Sequence, residues 1–337
     1  MTITIAVDAM GGDYAPAEVV KGALLVARED ADILLILVGD EAAVRAQCEA
    51  QGGLPANIRL QHAPDTIAMH EHPAQAIRKK RQSSLVLAGQ MVKSGQAQGT
   101  FSAGNTGAAM AIATLDIGRT PGVDRPAIAA TLPTRSGHTL LLDAGANVDC
   151  SPENLLQWAW LGSLYAEKVR GVSSPRVGLL NIGGEAGKGN ELTKATYPLL
   201  QSGALNFVGN VEGKDVFEHA ADVVVCDGFA GNILLKAGEG VAELILGLLQ
   251  GEMATSAQAG EDVSPLKPML GRLMQRIDYA ETGGAPLLGI NGVSLIGHGR
   301  SHAKAIASGI RAARDAARSG YVAAIRDALP RLGGSGA

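Results

Sequence analysis

Lys188 stands inside Asn181-Ile-Gly-Gly-Glu-Ala-Gly-Lys-Gly-Asn190, a run whose residue types suit the binding of an anion. Glycines leave backbone N–H groups uncovered, a helix opening at Glu191 would add its positive N-terminal end, and Lys188 brings a full positive charge. Phosphate fits that description. The run is not a nucleotide P-loop, because Walker A has four residues between its glycines and Ser or Thr after its lysine. Here three residues separate Gly183 from Gly187, and Gly189 follows Lys188. Carboxylates form a second pattern. Asp8, Asp143 and Asp227 each follow an apolar run and precede glycine by a few residues, and Asn105, Asn181 and His298 occupy similar turns. Taken singly, each could cap a helix or tolerate a left-handed turn; six turns of one design predict one crevice at the carboxyl ends of the strands. Three aspartates beside a phosphate pose a problem of sign unless they hold a metal or turn to N–H and cationic partners. Lys188, Lys214, Lys236, Lys304 and Arg125 are available for such pairing. Cys226 adjoins Asp227 but ends the run Val223-Val-Val-Cys226, which reads as a core thiol rather than a nucleophile. His298, between glycines, fits no core position and is a candidate proton carrier.

The elements that must carry these residues follow from periodicity. Residues 2–7 read as a buried strand, 17–29 as a helix that Pro16 is placed to open, 33–38 as a second strand, 41–50 as a helix and 57–62 as a third strand. That alternation predicts a parallel sheet covered on both faces. A basic cluster, Arg78-Lys-Lys-Arg81, precedes a helix at 84–93, and the turn Ser102-Ala-Gly-Asn-Thr-Gly107 leads into a helix at 108–115. Residues 119–126 break the rhythm and are the expected hinge between two halves. Strands follow at 128–132 and 139–142, a helix at 154–168 opened by Ser151-Pro-Glu153, and strands at 176–180, 206–208 and 222–226. Residues 241–279 interrupt the rhythm with two amphipathic helices joined by a polar turn, a helical hairpin. Strands at 287–290 and 293–296 and one long alanine-rich helix from His302 complete the chain, with residues 333–337 expected to fray.

Composition narrows the classes. The 337 residues allow two domains or one large α/β unit; 46% are hydrophobic, only 3% aromatic, and 44 are glycine, so the core must be aliphatic with many glycine turns. A net charge of -4 without a basic, aromatic-interleaved stripe argues against a nucleic-acid partner. Cys48, Cys150 and Cys226, odd in number and scattered, suit reduced thiols in a cytoplasm. No signal-like segment or bilayer-spanning apolar run is expected.

The ordered motifs resemble those of the bacterial phosphate acyltransferases, acyl-acyl-carrier-protein:phosphate transacylases of the PlsX family. The resemblance runs through Asp8-Ala-Met-Gly-Gly-Asp13, Ser102-Ala-Gly-Asn-Thr-Gly-Ala108, Leu142-Asp-Ala-Gly-Ala-Asn147, Lys188-Gly-Asn-Glu191, Cys226-Asp-Gly-Phe-Ala-Gly-Asn232 and Gly297-His-Gly299. Extra glycines at 184 and 187 and the bulk of Arg300 depart from that pattern. The resemblance implies a three-layer α/β/α sandwich, similar to phosphate acetyltransferases and to isocitrate and isopropylmalate dehydrogenases, with residues 1–337 forming one unit of two intertwined halves. It implies transfer of a fatty acyl group from acyl carrier protein to inorganic phosphate, giving acyl phosphate for glycerophospholipid synthesis, without redox cofactor or metal. It also implies a homodimer, peripheral membrane contact, and a link to a membrane glycerol-3-phosphate acyltransferase. On that reading Lys188 and the N–H groups around Gly183 and Gly189 hold phosphate, with Asn105 and Asn232 as supporting donors and Asp8, Asn147 and Asn181 in the substrate site. Asp227 orients phosphate or takes its proton; His298 is the alternative proton carrier. Phosphate is itself a nucleophile, so no acyl-enzyme is required. Two other classes stay open: a metal-dependent hydroxyacid dehydrogenase on the related fold, and a non-catalytic acyl or anion sensor.

Overall fold

A computed structural model describes residues 2–277 and 283–332. The first part of the chain comprises β1 (Ile3–Asp8), α1 (Ala17–Glu29), β2 (Ile33–Gly39), α2 (Glu41–Ala50), β3 (Ile58–His62), α3 (Pro73–Lys79), α4 (Ser84–Lys93), β4 (Gly99–Ser102) and α5 (Thr106–Ile112), which runs on as a π-helical turn, Ala113–Ile117. Next come β5 (Ala127–Thr134), β6 (Gly137–Leu142), α6 (Pro152–Lys168), β7 (Arg176–Asn181), α7 (Glu191–Ser202), β8 (Asn206–Glu212), α8 (Gly213–Phe217) and β9 (Val223–Val225). The chain closes with α9 (Gly228–Gln258), α10 (Leu266–Ile277), β10 (Ala285–Leu288), β11 (Val293–Ile296), α11 (Ala303–Arg318) and α12 (Tyr321–Leu332). The last residues of the expected hairpin, Asp278 and Tyr279, and the tail 333–337 lie outside the described residues.

Eleven strands form one sheet in the order β3-β2-β1-β4-β11-β10-β5-β6-β9-β7-β8, with helices on both faces. Continuous apolar strands are what such burial demands: Ile5, Val7, Leu35, Leu37, Leu140 and Leu142 are all at 1% exposure or less. The sheet is mixed, not parallel as the βα rhythm predicts. Strands β3, β2, β1, β4 and β11 run together, as do β6, β9, β7 and β8, but the β11/β10, β10/β5 and β5/β6 pairs are antiparallel. Three reversals make the two blocks run in opposite directions. Carboxyl ends of β1, β4 and β11 therefore leave the sheet opposite to those of β6, β7 and β9, and the six polar turns divide three and three. The two reversals on either side of β10 cancel, so it is the β5–β6 hairpin, two strands with no helix between them, that turns the second block over.

Residues 119–126 are firmly tied. Thr120 donates from N to Gly289 O (2.9 Å) and from its hydroxyl to Ile290 O (2.8 Å), while the buried Trp158 of α6 donates to Arg125 O (2.8 Å). The expected single C-terminal helix is two, because Gly320 turns left-handed (φ 71) between α11 and α12. The first hairpin helix begins thirteen residues earlier than the expected 241: α9 starts at Gly228 and runs unbroken for 31 residues. Only Gly228 and Gly231 of it are buried, and Val241, Leu244, Ile245, Leu248 and Leu249 stand exposed. No helix of the described residues is long and apolar enough to cross a membrane.

Helix α11 packs on β4 through Gly309, whose missing side chain leaves room for the fully buried Phe101 ring and the Gly283 carbonyl. Gly309→Ala should overpack this contact and cost about 1–3 kcal/mol. Urea denaturation of the variant with an unchanged midpoint would show that the contact relaxes freely.

Candidate functional site

Asp143, at the end of β6, is fully buried and accepts four hydrogen bonds: from Ile128 N (2.9 Å), Ala146 N (3.1 Å), Asn147 N (2.5 Å) and Asn147 Nδ2 (3.0 Å). Burial pushes its carboxyl pKa up, and these donors pull against that rise. They bend residues 143–147 into a platform whose Asn147 O accepts Gly228 N (2.8 Å). The first turn of α9 lies on that platform so closely that a Cβ at Gly228 would meet Asn147 O at 2.6 Å, and one at Gly231 would overlap the Asp143 carbonyl. Asp227, the residue before α9, caps it by accepting Ala230 N at Oδ1 (2.8 Å).

A second helix end arrives from β7. Asn190 caps α7 by accepting Thr193 N (2.9 Å). Asn181 closes the glycine loop, donating to Lys188 O (3.1 Å) and accepting Ile182 N (2.8 Å), and Asn210 pins the loop through Glu185 O (2.8 Å). Gly189 is left-handed (φ 101) and pressed against Asn181 and Thr193, so only glycine fits there. Gly183 is buried against the Lys188 stem, while the Lys188 side chain is exposed and forms no ion pair among the described residues.

Between the two helix ends opens a cleft of about 540 Å³. Leu155, Leu180, Ile182, Leu192 and Leu234 give it apolar walls; Asn181, Asn190, Thr193 and Asp227 are its polar residues. Beyond the bonds already named, the first turns keep the N–H groups of Glu191 and Leu192 on α7 and of Phe229 on α9, and each helix directs about half a positive charge outward. Such a cleft can hold an anion at one end and an apolar chain along its walls. Cys226 also lines it, but burial, followed by Asp227 and Asp143, pushes that thiol well above its ordinary pKa, and burial with Asp227 pushes Cys150 up to about 12. Neither thiol is poised as a thiolate.

Several expected site residues are spent elsewhere. Asn105 caps α5 through Ala108 N (3.0 Å), and its amide donates to the carbonyls of Ala68, Met69 and Glu71 (3.2, 3.1 and 2.9 Å), so no donor remains for phosphate. Asn147 spends its amide on Pro126 O (2.9 Å) and Asp143. Asp8, buried and pushed up in pKa by that burial, accepts Ser102 Oγ (2.7 Å) and Met10 N (3.2 Å) as a strut between loops of the first block. His298 stands 3.9 Å from Glu239 of α9, twelve residues beyond Asp227 and hence ~18 Å along the helix at about 1.5 Å per residue. It is not beside Asp227. Asn232, on the first turns of α9 against Gly145, makes no hydrogen bond with its amide among the described residues. Sequence reasoning missed Asn190 and Thr193 as members of the cleft; the pattern Asn-x-x-Thr at a helix start was the available signal.

A mixed, eleven-stranded sheet covered by helices on both faces is a fold this chain shares with solved phosphotransacylases. The solved phosphotransacetylase of Streptococcus pyogenes superposes with a TM-score of 0.61 at 15% identity, covering 94% of each chain. The branched-chain phosphotransacylase of Enterococcus faecalis does so at 0.60 and 14%, covering 94% of this chain and all of that one. At such identities the fold alone is shared. Sequence reaches further: the model described as Fatty acid synthesis protein matches residues 3–324. A phosphate acyltransferase of Desulfitobacterium hafniense is 52% identical over 329 residues, 97% of this chain and 98% of that protein. One from Pelotomaculum thermopropionicum is 51% identical over 335 residues, 99% and 97% of the two chains. The chain belongs to this family, the PlsX phosphate acyltransferases, and is an acyltransferase rather than a dehydrogenase or a passive sensor.

Removing the α7 cap tests the cleft's local physics. Asn190→Ala should lower stability by about 1 kcal/mol and reduce affinity for inorganic phosphate severalfold. Calorimetry and the phosphate dependence of turnover read the two effects; a stability loss with unchanged phosphate dependence would remove α7 from the anion site.

Proposed function

We propose that this chain moves a fatty acyl group from the thioester of acyl carrier protein to inorganic phosphate. The observation that carries the reading is the convergence of the α7 and α9 N-termini on a cleft with apolar walls, so that one end suits phosphate and the rest suits an acyl chain. Phosphate lies against the free N–H groups of the two first turns, with Lys188 adding charge from the rim and Asn232 as a supporting donor. Held there, a phosphate oxygen attacks the thioester carbonyl, forming the new C–O bond, and collapse of the tetrahedral adduct breaks C–S. The proton carried by hydrogen phosphate ends on the departing sulfur, leaving acyl phosphate and free carrier thiol. Asp227, whose second oxygen makes no hydrogen bond among the described residues, relays that proton. Its carboxylate is tolerable beside phosphate because it tops the positive end of a 31-residue helix. Asn105 and His298 have no part in this step.

Acyl phosphate is an activated lipid precursor, and we assign it to glycerophospholipid synthesis through a membrane glycerol-3-phosphate acyltransferase. The enzyme works as a cytoplasmic homodimer, each chain one unit of two intertwined halves. Apolar residues on α9 support a dimer contact, and the α10 face of Leu266, Met269, Leu273 and Met274, flanked by Lys267, Arg272 and Arg276, supports peripheral contact with an anionic membrane.

Palmitoyl carrier protein should release thiol only when phosphate is present, with matching hydroxylamine-trappable acyl phosphate. Lys188→Ala should raise the phosphate KM at least tenfold, a loss of about 1.4 kcal/mol or more. Phosphate-independent thiol release, or an acylated protein trapped without phosphate, would refute direct attack. For the hairpin, Leu266→Glu with Leu270→Glu should abolish cosedimentation with anionic vesicles while sparing the soluble assay; undiminished cosedimentation would exclude α10 as the membrane contact.

A further inference from the structure

The β5–β6 hairpin ends about 20 Å from Asp143, at six residues of roughly 3.4 Å each along β6, and there the molecule gathers cations that acyl transfer does not use. Arg170, two residues past α6, is part-buried and donates to Thr131 Oγ1 (2.5 Å), yet it makes no ion pair among the described residues. Burial pulls its pKa below the ordinary value, and the group opposing that shift is the Tyr165 hydroxyl, not a carboxylate. The pairing of Thr131 with Leu140 and of Pro133 with His138 puts Thr131 and His138 on one face of the hairpin. His138 is lowered in pKa by burial and then by the positive charges of Arg170, His219 and Arg276. Arg276 of α10 reaches this end of the sheet, donating to Arg135 O (3.0 Å), and also has no ion pair among the described residues. The neighbouring carboxylates are committed: Glu218 faces Arg135 (3.2 Å), and Asp222 is held by Arg176 (3.1 Å) and His219 (3.0 Å).

A part-buried guanidinium without a counter-ion is costly, and the carboxyl end of α6 offers it only about half a negative charge. Each guanidinium has five N–H donors, and Arg170 and Arg276 each spend one on the protein. We propose that Arg170, Arg276 and His138, with the Thr131 hydroxyl, bind a phosphate-group anion at this end of the sheet, apart from the acyl-transfer cleft. Tetrahedral oxygens can accept from both guanidiniums at once. Two sources carry that chemistry, a soluble phosphate and the headgroup of an anionic lipid.

Equilibrium dialysis of the full chain against radiolabelled inorganic phosphate reads the site without relying on acyl transfer. Two phosphates per chain are expected. Arg170→Gln should remove one and leave the phosphate KM of turnover unchanged, whereas Lys188→Ala should weaken the other at least tenfold. Should Arg170→Gln fail to fold, the exposed pair Arg276→Gln with His138→Gln serves instead, with at least a tenfold weakening at the distal site. Cosedimentation of Arg170→Gln with phosphatidylglycerol vesicles separates the sources: a loss, with only one phosphate bound by wild type in dialysis, assigns the site to a headgroup. The proposal is overturned if wild type binds one phosphate and vesicle binding ignores Arg170, or if Arg170→Gln dissociates a dimer while both phosphates remain, which would make a partner's carboxylate the counter-ion.

Discussion

The first turn of α9 rests on the Asp143–Asn147 loop with no space for a side chain at Gly228 or Gly231, and the geometry of the cleft depends on that contact. Asp143 makes it possible by gathering four N–H donors into a rigid platform, and Asn147 completes it by accepting the Gly228 N–H. With α9 so seated, Asp227 caps it at the cleft, and the rest of its 31 residues carry apolar side chains out of the core. One packing constraint thus sets the anion end of the cleft and the direction of the hairpin.

Direction resolves the sign problem posed by three aspartates. Asp8 turns to Ser102 and a backbone N–H in the first block, and Asp143 is wholly occupied by N–H donors. Only Asp227 keeps an oxygen for the cleft, where the dipole of its own helix offsets its charge. In the proposed reading the anion end therefore rests mainly on backbone N–H groups, which cannot be lost by side-chain substitution. Side chains such as Asn181 and Asn190 act by holding that backbone in place.

Most elements were legible in the sequence because their signals are local. The helices at 17–29, 41–50 and 84–93 and the strand at 33–38 match the structure closely, each bounded by apolar periodicity and a turn residue. The glycine loop as the opening of α7 was equally visible, since Asn190 and Gly189 mark it. What local pattern could not carry was long-range. The antiparallel β5–β6 hairpin turned one block over, and β10 and β11 came between the blocks from far downstream, which separated His298 and Asn105 from Asp227 although their turns look alike. Hydrogen-bond occupancy is equally invisible: nothing near Asn105 in sequence says that its amide will be consumed by carbonyls at 68, 69 and 71. The unbroken start of α9 was missed because glycines at 228, 231, 238 and 240 suggest breaks, yet at 228 and 231 glycine is there for close approach.

Locating the phosphate itself tests the central claim most directly. Crystals soaked with tungstate, a heavy tetrahedral analogue of phosphate, would give an anomalous peak whose position needs no assay. A peak is expected within hydrogen-bonding distance of the first-turn N–H groups of α7 and α9, between Asn190 and Asp227, and weaker in Lys188→Ala crystals at the same concentration. A peak instead among the Asp8, Ser102 and His298 loops, with the α7–α9 cleft empty, would contradict it and move the reaction to the opposite edge of the sheet.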